Sequence, residues 1–217
     1  MIRLIYNGAA DAQDRESDRT RHPDELAAIA RAAAGGDRSA THALLVALAP
    51  HLLRTVRSLL GRTNPDAEDV AQEAALVVIS ALPSFRGEGS VQRFATRTAV
   101  LVAMNARRKR AASKRGGDQA AIATDVDELV AHPDGPERRL MHAQAADAVR
   151  ALLLTLPAPQ AEALALHCVA GCTLAEIAAA THAPLQTVKS RLRLARRALR
   201  LTLDGRPGLL ELLEGES

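Results

Sequence analysis

Residues 173 to 200, TLAEIAAATHAPLQTVKSRLRLARRALR, constrain this chain more than any other stretch. Thr173 and Glu176 stand at capping-box spacing: the Thr hydroxyl can take one free amide of a helix start, and the Glu carboxylate can reach back to another. A helix is therefore expected from Leu174. The run His182-Ala183-Pro184 ends it, because the residue before a proline avoids helical angles and Pro184 can open the next helix. In that second helix Leu185, Val188, Leu192, Ala195 and Leu199 recur at steps of three and four, which predicts one buried stripe. Gln186, Thr187, Lys189, Ser190, Arg191, Arg193, Arg196, Arg197 and Arg200 fill the remaining faces with no acid among them. The segment reads as a helix-turn-helix whose second helix offers the groups that pair with phosphates and read base edges in a major groove. A charge run alone is usually only a solvated face. The capped first helix, the short turn, the apolar stripe and the one-signed charge together favour DNA.

Composition agrees with an all-α protein. Apolar positions are filled by Ala, Leu and Val, the first two strong helix formers, and aromatics make up only 1% of the 217 residues. A chain of this length buries one medium core or two small ones. The formal net charge of +3 hides a segregated pattern. Acids crowd at Asp66, Glu68, Asp69 and Glu73 and again at Asp125, Asp127 and Glu128, while bases crowd at 107–115 and 189–200. Two different partners are expected, one of them polyanionic. The sequence has no charged-then-apolar leader and no uninterrupted apolar run of bilayer length, so a cytoplasmic protein without membrane insertion is expected. Cys168 and Cys172 beside His167 raise a metal site or a redox switch. Zinc sites usually need four ligands and no second pair matches, so the expected role is packing beneath the helix-turn-helix. Neither metal nor cofactor is expected. The histidines at 22, 42, 51, 132, 142, 167 and 182 form no triad, metal set or phosphate loop, so no enzyme activity is expected.

Along the chain, 1–22 reads as a disordered N-terminal arm and 23–111 as one small helical domain. Residues 112–135 read as a linker rich in Gly, Pro and acids, 136–203 as a second helical domain, and 204–217 as a tail. Within the first domain a helix begins near Pro23 and stops at Gly35-Gly36-Asp37. A long amphipathic helix runs from Ser39 to Gly61 with Leu44, Leu45, Leu48, Leu52, Val56 and Leu59 inward. Another starts at Pro65 or Asp66 and runs to Leu82, burying Val70, Ala74, Val77, Val78 and Leu82 with its acids outward. After the loop PSFRGEGS comes a helix over Val91 to about Arg110. In the second domain a helix runs from Pro136 to about Thr155, and Leu156-Pro157 breaks it before the helix that carries His167.

Two unlinked motifs in this order resemble the sigma-70 family of bacterial RNA polymerase sigma factors, in the compact extracytoplasmic-function (ECF) type. The first is Asp66-Ala-Glu-Asp-Val-Ala-Gln-Glu73, followed by Phe85-Arg-Gly-Glu-Gly-Ser90 and the basic run at 107–110, similar to region 2. The second is Leu156-Pro157, Glu162 to His167, Ala175 to Ala178 and Thr187 to Leu192, similar to region 4. The resemblance covers about 24–203. It implies two helical domains, no catalytic residues, and core RNA polymerase and promoter DNA as partners. An anti-sigma protein commonly holds such factors inactive. Asp66, Glu68, Asp69, Gln72 and Glu73 would bind the largest polymerase subunit. Phe85, Arg86, Arg93, Phe94, Arg97, Arg107, Arg108, Lys109 and Arg110 would engage the −10 element. Gln186, Thr187, Lys189, Ser190, Arg191, Arg193, Arg196 and Arg197 would read the −35 element. Three departures stand out. Phe94 replaces the usual tryptophan, with Val91 and Thr96 where other aromatics usually lie, so Phe94 is either core or a stacking surface. Leu194 replaces a usual arginine, and His182 a usual turn glycine. The alternative reading is a stand-alone helix-turn-helix regulator.

Overall fold

The computed structural model describes residues 23–85, 90–114 and 150–203, and every regular element among them is helical. They belong to two compact units. The N-terminal arm, Arg86, most of the 112–135 stretch, the start of the helix expected from Pro136 and the tail at 204–217 lie outside the described residues.

The first unit holds α1 (Pro23–Ala34), α2 (Arg38–Leu60), α3 (Ala67–Ala81), a 3-10 turn (Leu82–Ser84) and α4 (Val91–Lys114). Asp37 explains why α2 starts where it does: its carboxylate accepts from the amides of Ser39 at 2.8 Å and Ala40 at 3.1 Å, satisfying donors that a helix start otherwise leaves open. Gly61 ends α2 with φ 109, a conformation other residues avoid, and its N–H bonds the Arg57 carbonyl at 2.9 Å. Between these ends α2 packs against α1, α3 and α4. Leu44, Leu48, Leu52, Val56 and Leu59 are buried as expected, but Leu45 is only half-buried. Facing them, Ala95, Ala99 and Ala103 line one side of α4 with no exposed surface; side chains this small let helix axes approach closely. Pro50 sits inside α2. It removes the bond to the Val46 carbonyl, yet the helix continues.

The helix α2 also has the length and mean hydropathy of a bilayer span, where the sequence reading found no such run. In this fold it is the central helix of its unit, with its leucine stripe covered by neighbouring helices. Two expectations at α3 and α4 are corrected. Val77 is 39% exposed, because the apolar residues of α3 extend around more of its circumference than α2 and α4 cover. The helix α4 continues past Arg110 to Lys114, since Ala111, Ala112 and Ser113 carry nothing that stops a helix.

The second unit holds a helical stretch at 150–155, then α5 (Ala158–Cys168), α6 (Leu174–Thr181) and α7 (Leu185–Leu203). Residues 161–166 are buried in succession, Glu162 included, so α5 is the centre of this core. It packs against α6 and α7. The expected stripe on α7 is present, with Val188, Leu192, Ala195 and Leu199 buried. Leu185 is the exception at 42% exposed, because it lies in the first turn, ahead of the surface that α5 and α6 cover. Pro184 stands just before the helix, its carbonyl accepting from Val188 N–H at 3.1 Å, so it caps α7 instead of occupying the first helical position.

Candidate functional site

The helix-turn-helix forms as its residues dictate. Thr173 Oγ1 accepts from Glu176 N–H at 3.2 Å, and Glu176 Oε2 accepts from Thr173 N–H at 2.6 Å, completing the capping box. At the other end of α6, His182 adopts φ 49 and ψ 39, a left-handed cap, and its N–H bonds the Ala178 carbonyl. Ile177, fully buried, fixes α6 to the core. On α7, Gln186, Lys189, Ser190, Arg193, Arg196, Arg197 and Arg200 are exposed, while Thr187 and Arg191 are half-buried. Lys189, Arg193, Arg196, Arg197 and Arg200 line an open groove of about 560 Å³ together with His167, Leu174 and Leu192.

One member of that basic set is anchored. Arg196 Nη2 donates to His167 Nε2 at 2.9 Å, and His167 Nδ1 lies 3.1 Å from the Cys172 carbonyl. An arginine can only donate, so Nε2 is the acceptor in this contact and Nδ1 faces the carbonyl as the donor. His167 therefore ties α7 to the turn before α6, a role the sequence did not signal. Cys168 and Cys172 are both buried and unpaired by disulfide. Burial pushes the Cys168 thiol up to about 12, with the Arg196 charge opposing more weakly, so it is a packing group and a poor nucleophile. No group of three His, Cys, Asp or Glu among the described residues is placed to hold a metal ion.

On α3, Asp66, Glu68, Asp69, Gln72 and Glu73 are all exposed. The structure divides them. Asp66 Oδ2 receives Arg110 Nη1 at 2.8 Å, and Glu68 Oε1 receives Arg57 Nη2 at 3.1 Å. Asp69, Gln72 and Glu73 form a face that continues into Leu76, 66% exposed, and Val77. Sequence reasoning missed Leu76 as a surface residue. The signal was there: the run AALVVISAL is too apolar for one buried stripe, so part of it had to face outward.

The promoter-facing set expected on α4 and the turn before it is also divided. Phe85 and Phe94 pack against each other with ring centroids 5.2 Å apart and planes tilted by 40°, both half-buried, so Phe94 is neither a sealed core residue nor an isolated platform. Val91 and Thr96, at the other positions where aromatics usually stand, are buried. Thr96 Oγ1 donates to the Gln92 carbonyl at 2.8 Å and lies 2.6 Å from His51 Nε2. At about 100° per residue Arg93, Arg97, Arg107 and Arg108 share one side of α4, and Lys109 and Arg110 both fall outside that arc. Burial lowers the Arg107 pKa, and its Nη1 lies 3.9 Å from Met104 Sδ. Arg108 and Lys109 are exposed, whereas Arg93 and Arg97 are half-buried.

A family model described as ECF sigma factor matches residues 23–205. The chain belongs to the ECF sigma factor family. Among curated relatives of this sigma factor, the ECF RNA polymerase sigma factor SigD of Mycobacterium tuberculosis is 34% identical over 165 residues, covering 74% of this chain and 76% of that protein. The ECF RNA polymerase sigma-E factor of Escherichia coli K12 is 30% identical over 169 residues, covering 76% and 86%. Among solved structures, CnrH in complex with the cytosolic domain of CnrY matches with a TM-score of 0.50 at 21% identity over 82% of this chain and 96% of that one. The sigma factor RpoE in complex with the anti-sigma factor NepR from Bartonella quintana matches with a TM-score of 0.50 at 22% identity, covering 74% and 94%. At those identities the structural likeness is one of fold.

Proposed function

We propose that this ECF sigma factor binds core RNA polymerase through the exposed face of α3 and directs it to promoters, recognising a −10 element with α4 and a −35 element with α7. The observation that carries the reading is the pairing, in a chain of this family, of an acidic and apolar face on one unit with a one-signed basic helix on the other. A stand-alone helix-turn-helix regulator has no use for the first. The activity is recognition, with the chemistry left to the polymerase in the cytoplasm. In this reading 23–111 acts as region 2, 136–203 as region 4, and 112–135 as the linker between them.

The residues act by ordinary physical means. Asp69, Gln72 and Glu73 offer acceptors to a basic partner surface, and Leu76 and Val77 add apolar area beside them. Arg93, Arg97, Arg108 and Lys109 supply cations for phosphates, an interaction that weakens steeply with salt. Phe85 and Phe94 present one aromatic pair to a separated strand, where each stacked base is worth about 1–3 kcal/mol. So small a platform suits promoters that open easily. Gln186, Thr187, Lys189 and Ser190 at the start of α7 would read base edges, with Arg193 and Arg197 on flanking phosphates. A second protein partner is proposed from the solved relatives, one of which is a complex with an anti-sigma factor.

The test is binding of the labelled chain to core RNA polymerase without DNA at moderate salt, beside an Asp69→Lys, Glu73→Lys variant. Tight binding that the reversals weaken by about tenfold or more is expected. A folded chain that holds duplex DNA yet ignores core polymerase would refute the proposal and favour the stand-alone regulator.

A further inference from the structure

We propose that Arg110 is a positioning residue for the polymerase-facing helix α3, and not a ligand of DNA phosphate like its neighbours in the basic run. The inference rests on the reading of α3 given above. Arg110 Nη1 donates to Asp66 Oδ2 at 2.8 Å and lies 3.3 Å from Asn64 Oδ1. Those two acceptors belong to the connection that turns α2 into α3. Asn64 organises it: its Oδ1 accepts from Asp66 N–H at 3.0 Å, and its Nδ2 donates to the Leu60 carbonyl at 3.2 Å. Asp66 stands at the N-cap of α3, yet its carboxylate makes no capping bond to the helix amides. An N-cap aspartate normally spends its side chain on those amides. Here it is turned outward to a guanidinium that reaches across from α4.

The first turn of α3 is thereby held from two sides. Arg110 grips Asp66 from α4, and Arg57 grips Glu68 from α2 at 3.1 Å. Asp69 belongs to that same first turn and Gln72 and Glu73 lie just beyond it, so the two arginines set the angle at which that face is presented. The same contact takes Arg110 out of the promoter-facing set, since it spends its Nη1 on Asp66 and Asn64 within the fold.

The experiment uses the full chain with core RNA polymerase, and the resulting holoenzyme with promoter DNA across a salt series. Arg110→Gln should weaken core binding about threefold, the scale of a partly exposed ion pair, and leave the slope of log affinity against log salt for promoter DNA unchanged. Arg108→Gln, exposed and within the shared arc, should do the reverse, reducing that slope by about one and sparing core binding. In an Asp66→Ala background Arg110→Gln should lose most of its effect on core affinity, with only the longer Asn64 contact left to remove, a coupling that general loss of stability would not produce. If the Gln variant loses its melting transition, Arg110→Lys carries the same readouts, with weaker core binding at an unchanged slope. A slope reduced by about one in the Arg110 variant, or core affinity equal to or tighter than the parent's, overturns the proposal while leaving the sigma-factor reading intact. A folded parent chain that fails to bind core polymerase overturns both.

Discussion

Replacing Ile177 by alanine should cripple the helix-turn-helix while sparing the other unit. The residue has no exposed surface and sits in a helix of 8 residues, far too short to persist on its own propensity. What keeps α6 in place is packing against α5 and α7 and the capping box. Truncating a buried isoleucine to alanine costs about 2–5 kcal/mol, the spread depending on how far the site can collapse. A unit whose described part spans 150–203 is expected to have about 3–8 kcal/mol in total, so the change removes roughly half of it. For a domain of that size each kcal/mol lowers Tm by about 4–8 °C, so the transition of this unit should fall by roughly 8–40 °C, with a midpoint of ~20 °C. Far-UV circular dichroism on the full chain, melted with and without a −35 duplex, would show the transition that the duplex raises move while the other stays. Ile177→Val should cost only about 0.5–1.5 kcal/mol. An alanine variant whose melt shifts no further than the valine variant's would refute the packing argument.

Three further outcomes follow from particular residues. The Cys168 thiol is raised from an ordinary 9.0 up to about 12 by burial, so above pH 9 the unfolded chain ionises while the folded chain does not, and the fold loses stability as pH climbs toward 12. The gap between the urea midpoints of the parent and Cys168→Ala should shrink across that window; a constant gap would contradict it. His182 holds φ 49, a left-handed conformation that glycine adopts without penalty, so His182→Gly should stabilise the unit by about 0.5–1 kcal/mol, and a lower Tm would show that the imidazole makes a compensating contact. Leu194 is 42% exposed, so Leu194→Arg should leave the melt nearly unchanged and steepen the salt dependence of −35 duplex binding by about one unit; an unaltered slope would place the side chain away from phosphates.

What was legible in the sequence is what local chemistry decides. Thr173 and Glu176 declared the start of α6 because a capping box involves residues three apart, and the α7 stripe declared itself by spacing. Gly61 and the Gly35-Gly36-Asp37 break marked helix ends because backbone conformation there is set by one or two residues. Contacts between elements were not legible. Nothing in the basic run 107–110 separated Arg110 from Lys109, because the difference is the presence of Asp66 in space, 44 positions away in sequence. His167, weighed as a metal ligand beside two cysteines and set aside, is a bridge between Arg196 and the Cys172 carbonyl that its neighbours in sequence do not announce. Val77 was assigned to the core by the apolar character of its segment and Leu76 was passed over, and the placement of α2 and α4 determines how much of that segment is covered.

The division of labour along α7 bears on how such a helix changes over time. Its fit to the rest of its unit is secured by Val188, Leu192, Ala195 and Leu199, whereas Gln186, Lys189, Ser190, Arg193 and Arg197 are exposed. Substitutions at the exposed positions therefore carry little penalty to folding, and selection can explore them almost independently of the core. A lineage carrying this helix can drift from one target sequence to another through a succession of folded intermediates.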